Sequence, residues 1–208
     1  VRPDGLSKVT GDLKYLTDLE MSNMLHGKIL RSDLPHAKIL SIKTEKAEQL
    51  PGVVAVITHR DVPGMNRFGI IIPDQPVLWE DRVRYIGDAI AAVAAESVAI
   101  ANEALGLIEV EYEELPILDE IEKALSPDAP RLHPKGNIAH RSFYQIGNVK
   151  KGFEVCSVIV EETYELPMQL HGYIETEGGV IVPEKNGGIT VYAGTQHGFK
   201  DRFQLSRI

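Results

Sequence analysis

Two turns near the end of the sequence hold its most concentrated polar chemistry. Gln169-Leu170-His171-Gly172-Tyr173-Ile174-Glu175-Thr176-Glu177 sets an amide, an imidazole and carboxylates between two strand-like runs. Gly194-Thr195-Gln196 follows, where a strand pattern gives way to a helical one. Backbone donors and a side-chain amide at such a junction can aim at an anionic ligand or a cofactor oxygen. By spacing alone, a plain turn or cap is the better account. The seven histidines, His26, His36, His59, His133, His140, His171 and His197, show no metal-ligand spacing, although His133 and His140 share one Pro/Gly-rich stretch. Glu109, Glu111, Glu113 and Glu114 read as the solvated face and end of a strand. Cys156 falls in a β-rich run and reads as a small core residue, with no cation or helix start nearby to make a thiolate. No G-x-S-x-G, P-loop, G-x-G-x-x-G or H-E-x-x-H occurs. The residues therefore predict no catalytic group and no metal-ligand set.

Composition narrows the class further. Among 208 residues, 22 Lys and Arg face 30 Asp and Glu, a net charge of −8. That balance argues against general nucleic-acid binding and against docking on anionic membranes. With 43% hydrophobic and 25% charged residues, the chain is globular rather than disordered. One cysteine excludes an intrachain disulfide and a cysteine-cage metal site, and fits a reducing, cytoplasmic setting. The longest strictly apolar run, Ala89 to Ala95, is far short of the ~20 residues a bilayer requires. Val1-Arg2-Pro3-Asp4-Gly5 offers no signal-peptide core.

The elements that must position these groups are α/β, or α+β, in order. Leu25–Leu30 and Lys38–Lys43 read as strands, Thr44 caps a short helix through Leu50, and the β-branched Val53–Thr58 reads as a buried strand. Residues 59–82 form a long connection with little periodicity. The small-residue run Ala89–Ala95 suits a strand covered on both faces. Glu96-Ser97 opens a helix with Val98, Ala101 and Leu105 on one stripe, closed or weakened at Gly106, and Ile108–Glu113 alternates as a strand. This β-α-β order suggests an α/β sandwich. Asp119 and Glu122 have capping-box spacing for a helix that Ser126-Pro127 stops. A Pro/Gly-rich stretch then leads to a second strand set: Val155–Glu165, and a hairpin of Gly179–Val182 with Ile189–Tyr192 around Asn186-Gly187. Phe199 and Phe203, four apart, begin a last helix. Fifty residues of strands bury little surface alone, so we expect the chain to be the N-terminal part of something larger.

With those residues in order, the sequence resembles the N-terminal part of the molybdenum-binding subunit of the xanthine dehydrogenase and aldehyde oxidase family. The matching pieces are Lys8-Val9-Thr10-Gly11 with Tyr15 and Asp18, Arg31-Ser32 with Pro35-His36-Ala37, Leu50-Pro51-Gly52-Val53, and Asp61-Val62-Pro63-Gly64. They continue with Val83-Arg84-Tyr85-Ile86-Gly87-Asp88, Val110-Glu111-Tyr112-Glu113-Glu114-Leu115-Pro116, Gly136-Asn137, the cluster Gln169, His171 and Glu175, and Thr195-Gln196. Each is weak alone; their order and spacing together are specific. The resemblance implies an α/β hammerhead domain over 1–116, a linker over 117–152, and the beginning of a molybdopterin-binding domain over 153–208.

It also implies an enzyme that hydroxylates a carbon of a heterocycle or aldehyde with oxygen from water. Its cofactor is molybdopterin, and electrons leave through iron–sulfur centres to FAD on partner subunits or domains. Gln196 aligns with the glutamine whose amide hydrogen-bonds a ligand of the molybdenum, making it the one cofactor-binding candidate. The family's Gly-Gly-Phe-Gly segment, substrate-binding arginine and base glutamate lie farther along than Ile208. The expectation is that this portion scaffolds, binds no molybdopterin alone and turns nothing over. The rival expectation is a self-contained, non-catalytic binding or assembly module with a hammerhead-like fold. An exposed apolar patch near Phe199, Phe203 and Ile208 would mark a severed interface.

Overall fold

A computed structural model of the chain describes residues 2–173 and 177–208. They fall into two compact units, Val1–Ile117 with Glu175–Ile208, and Leu118–Ile174. The first unit runs α1 (Gly5–Thr10), β1 (His26–Arg31), β2 (Ala37–Lys43), α2 (Glu45–Glu48), β3 (Val53–Thr58), β4 (Arg82–Val83), β5 (Ala89–Ala95), α3 (Val98–Leu107) and β6 (Glu109–Glu114). The second unit carries α4 (Ile121–Leu125) and α5 (Val149–Glu154). The first unit resumes with β7 (Gly179–Pro183), β8 (Ile189–Ala193) and α6 (Gly198–Leu205). The mixed α/β class expected from the pattern is what the chain forms.

Two three-stranded antiparallel sheets, ordered β1-β5-β3 and β4-β2-β6, build the larger part of the first unit. β5 is central because its side chains are small: Ala91, Val93 and Ala95 are buried against Ala101 and Ala104 of α3, so helix and sheet approach closely. Ile90, at the start of β5, buries elsewhere, with Ala37, Val83 and Trp79. β5 thus serves two core clusters. Its two-faced cover is nevertheless partial, because Ala92 and Ala94 are half-buried. Ser97 starts α3 as expected, its hydroxyl accepting the Ile100 N–H at 3.2 Å. The helix passes through Gly106 to Leu107, and β6 then joins β2 rather than β5. The β-α-β order therefore links two sheets and makes no parallel pair.

Several local expectations need correction. β3 is an edge strand, with Val54 and Ile57 exposed and only part of its length packed, because β5 covers one side of it alone. α4 begins after Glu120 without a side-chain cap. Asp119 instead pairs with Lys123 at 3.4 Å, one turn along, so the capping box does not form. Residues 157–173 contain no strand; Leu166 is 90% and Met168 97% exposed. Their period suits a sheet, but a strand exists only with a neighbour to complete its ladder, and the described residues supply none. Cys156 is exposed, not core, and its thiol donates to the Gly152 carbonyl at 3.2 Å just past α5. The hairpin forms as read, with register Val180↔Tyr192 and Val182↔Thr190. Its loop is shorter by one residue because Pro183 pairs with Ile189. Gly187, at φ +82°, turns that loop.

Candidate functional site

The short pieces that carry the resemblance sort by what their polar atoms touch, and four of them touch each other in two pairs. Arg31-Ser32 meets Gly87-Asp88: Arg31 Nη1 donates to Gly87 O at 2.7 Å and Ser32 N–H to Asp88 O at 2.8 Å. The Asp88 carboxylate is fully buried, and its Oδ2 accepts from the Arg84 N–H at 2.6 Å and the Tyr85 N–H at 3.3 Å. Burial, then the Asp88 charge, raises the Tyr85 phenol above its ordinary pKa. Burial lowers that of Arg84, against the pull of Asp81. Arg84 lies 4.5 Å above the ring of Trp79. Pro35-His36-Ala37 meets Leu115-Pro116: His36 is buried, its Nδ1 sits 2.7 Å from Pro116 O, and a carbonyl only accepts, so Nδ1 carries the proton. Asp18 and Asp61 each close a single 3-10 turn on a backbone N–H, of Tyr15 and Thr58. Asn137 gathers Ala124 O, Pro130 O and Leu132 N–H around its amide. These are joints of the scaffold.

The Gly194-Thr195-Gln196 turn differs. β8 delivers the chain to Gly194, and α6 starts at Gly198 with His197 at its cap position but no cap from the His197 side chain. Thr195 does that work. Its hydroxyl accepts the His197 N–H at 3.2 Å and donates to the carboxylate of Asp201, in the first turn of α6, where an acid suits the helix dipole. A cleft of about 670 Å³ opens beside the turn, between Ile189, Val191 and Ala193 of β8 and Asp201, Arg202 and Leu205 of α6. Gln196 is exposed, and its amide makes no hydrogen bond among the described residues. The turn is thus locked while its amide is left with two donors and an acceptor to offer.

Gln169 and His171 belong to the second unit, are exposed, and His171 stacks on Tyr173 with ring centroids 5.4 Å apart. Glu175 lies outside the described residues. His133 is exposed, and His140 is exposed with Nε2 2.9 Å from Ser142 Oγ. No group of three or more His, Cys, Asp or Glu among the described residues is placed to hold a metal ion. No helix there is long and apolar enough to cross a membrane. Phe199 and Phe203 stand exposed on α6, whereas Ile208 is half-buried. Sequence reading missed Gln204, whose side chain accepts the Gly69 N–H at 3.0 Å across 135 positions; no local pattern announces such a contact.

Comparison with known proteins matches residues 10–116 to the aldehyde oxidase and xanthine dehydrogenase a/b hammerhead domain, and residues 132–208 to the molybdopterin cofactor-binding domain. The chain is 66% identical, over all its 208 residues, to a probable xanthine dehydrogenase subunit of Bacillus subtilis (strain 168), and covers 28% of that protein. It is 40% identical over 206 residues to the nicotinate dehydrogenase large molybdopterin subunit of Eubacterium barkeri, covering 99% of this chain and 48% of that one. In structure it matches quinoline 2-oxidoreductase from Pseudomonas putida 86 with a TM-score of 0.83 at 32% identity, over 94% of this chain and 26% of the other. The chain thus spans between about a quarter and a half of the lengths of these relatives. With a hammerhead match over more than half its length and a cofactor-domain match after it, the chain belongs to the aldehyde oxidase and xanthine dehydrogenase family.

Proposed function

We propose that this chain is a portion of a molybdopterin-dependent hydroxylase acting on a heterocycle or aldehyde, in which Gln196 donates an amide hydrogen bond to an oxygen ligand of the metal centre. When bound, the molybdenum cofactor supplies the two-electron hydroxylation with water-derived oxygen; iron–sulfur and FAD groups on partner subunits or domains take the electrons onward. Residues 1–116 act as the hammerhead scaffold, 117–152 as the connection and 153–208 as the opening of the cofactor domain. A cytoplasmic setting accompanies that assignment.

One observation carries the reading. Gln196 sits on a turn whose shape Thr195 and Asp201 hold, yet its own amide has no internal partner among the described residues. An amide so placed fits one hydrogen bond to a negatively charged oxygen, and a preorganised donor is worth most where charge develops during reaction. The residues of this turn fit that single contact. Thr195 contributes by holding the turn, its hydroxyl already committed to the Asp201 carboxylate.

The test is Gln196→Leu in the full-length enzyme, assayed for substrate oxidation with molybdenum content measured on the same samples. Loss of one preorganised donor lowers kcat by roughly 10²-fold, with metal content retained. An unchanged kcat sinks the proposal.

A further inference from the structure

We infer that a hammerhead loop steadies the Thr195-Gln196 turn through α6, with Gln204 as the positioning residue at the far end of that helix. The inference rests on reading Gln196 as the cofactor-facing amide.

Before the turn, β8 lies against the N-terminal segment. Val191, Tyr192 and Ala193 share a cleft of about 520 Å³ with Leu13, Tyr15 and Leu19. A Cβ added at Gly194 would stand 3.7 Å from Leu16 Cδ1, ordinary van der Waals contact. After the turn, α6 is eight residues long, about 12 Å at 1.5 Å per residue, a short rod whose far end is tied down. Three backbone N–H groups of one loop do the tying. Gly64 donates to Ile208 O at 2.5 Å, Met65 to Arg207 O at 2.7 Å, and Gly69 to Gln204 Oε1 at 3.0 Å. Glycine is required at 64, because a Cβ there would lie 2.5 Å from Arg207 O and 2.6 Å from Ile208 O.

The loop that supplies these donors is itself braced. Asn66 Oδ1 accepts from the Val77 and Leu78 N–H groups, and its Nδ2 donates to Leu78 O at 2.7 Å, closing the loop at its base. The donors therefore present a fixed edge to α6. Each of these contacts, to Gln204 on α6 and to Arg207 and Ile208 just past it, joins the hammerhead match, 10–116, to the cofactor-domain match, 132–208. A helix tied at its far end limits how far the turn at its start, Gly194, Thr195 and Gln196, can move. Arg207 Nη2 also donates to Met65 Sδ at 3.6 Å, but of the side-chain ties only Gln204 takes up a backbone N–H of the loop, and it can be removed without altering the backbone.

Three variants of the full-length enzyme test this: Gln204→Leu, Gln204→Glu and Gln196→Leu. Amide hydrogen exchange over α6 is read alongside kcat, KM and molybdenum content. Gln204→Leu removes the acceptor at nearly constant size. It speeds exchange in α6 by roughly three- to tenfold, the fold-change equivalent of one net hydrogen bond, and lowers kcat several-fold at unchanged KM and metal content. Gln204→Glu, whose carboxylate still accepts the Gly69 N–H, restores both. Wild-type exchange in Gln204→Leu overturns the tie. Faster exchange with unchanged kcat overturns the positioning role. If Gln196→Leu leaves kcat unchanged, the cofactor-facing reading falls, while the exchange result still decides whether the loop holds the helix.

Discussion

Asp88 is the residue whose loss the first unit should feel most for its size. Its carboxylate is fully buried just before β5, and Oδ2 accepts two backbone N–H groups, from Arg84 at 2.6 Å and Tyr85 at 3.3 Å. Asp88→Ala strips both acceptors. The 2.6 Å bond is the stronger, and a bare buried donor costs about 1–3 kcal/mol. The longer bond adds little, and the lost charge opposite the Arg84 guanidinium adds somewhat more. The sum is about 2–4 kcal/mol. Asp88→Asn keeps an oxygen for the same two donors and gives up only the charge assistance, about 1 kcal/mol. The carboxylate's other oxygen, Oδ1, is buried without a hydrogen-bond partner among the described residues, and the amide nitrogen replacing it would be equally bare, so that cost cancels. For a unit of this size each kcal/mol moves Tm by about 2–4 °C, so Ala should lower it by ~4–16 °C and Asn by ~2–4 °C. Trp79, the chain's one tryptophan, is buried under Arg84 beside this joint, so its fluorescence follows the local transition during heating. An Ala variant that melts no earlier than the Asn variant would refute the reasoning.

Three further outcomes follow from the same geometry. Ser97→Ala removes the hydroxyl that caps α3 and should cost about 1 kcal/mol, while Ser97→Asp, which keeps a cap, should sit near wild type in urea unfolding. Ala101→Leu forces a large side chain into the fully buried contact between α3 and β5 and should cost about 1–3 kcal/mol by the same measurement; a neutral result would mean that contact is loose. Asp4, ion-paired to Lys8 and Arg2 at the start of α1, has its carboxyl pKa lowered from 3.8 to about 2, by Lys8 first and Arg2 second. Because the folded value is depressed, this pairing helps α1 fully above about pH 4 and ceases to help as pH falls toward about 2. Carbon-detected NMR titration should place Asp4 near 2 at low salt and closer to its ordinary value at high salt; a value close to its ordinary one at low salt would contradict the pairing.

What the sequence made legible was local. Ser97 as a cap, the small-residue strand Ala89–Ala95 and the Asn186-Gly187 hairpin depend on neighbours within a few positions, and the structure contains all three. What stayed hidden depends on distant chain. The run from Val155 to Glu165 has β-branched chemistry without a ladder, because being a strand is a relation between two segments. His36 reads as one more scattered histidine until Pro116, eighty positions on, is seen to accept its hydrogen bond. Gln204 looks like a surface residue of an amphipathic helix until Gly69 is placed beside it. At the candidate site, Thr195-Gln196 was visible as a turn. Its distinction, a hydroxyl spent on Asp201 and an amide unspent, was not.

That distinction explains why motif pieces weak in isolation become specific in order. Arg31-Ser32 requires Gly87-Asp88, and Pro35-His36-Ala37 requires Leu115-Pro116, because each pair is one hydrogen-bonded joint cut into two stretches of sequence. Replacing the His36 ring leaves the Pro116 carbonyl without its side-chain donor, at a cost comparable to a lost hydrogen bond. A joint of this kind ties residue type and spacing together across the fold while doing no chemistry of its own. The joint residues make their hydrogen bonds inside the scaffold, although Asp88 Oδ1 and His36 Nε2 are buried without one among the described residues. Gln196 stands exposed at a strand-to-helix junction with no hydrogen bond to its amide among the described residues, and the proposed cofactor contact would use that amide. The Asp88 and Gln196 substitutions therefore probe two different roles: the first should change stability and, on the proposed reading, the second turnover.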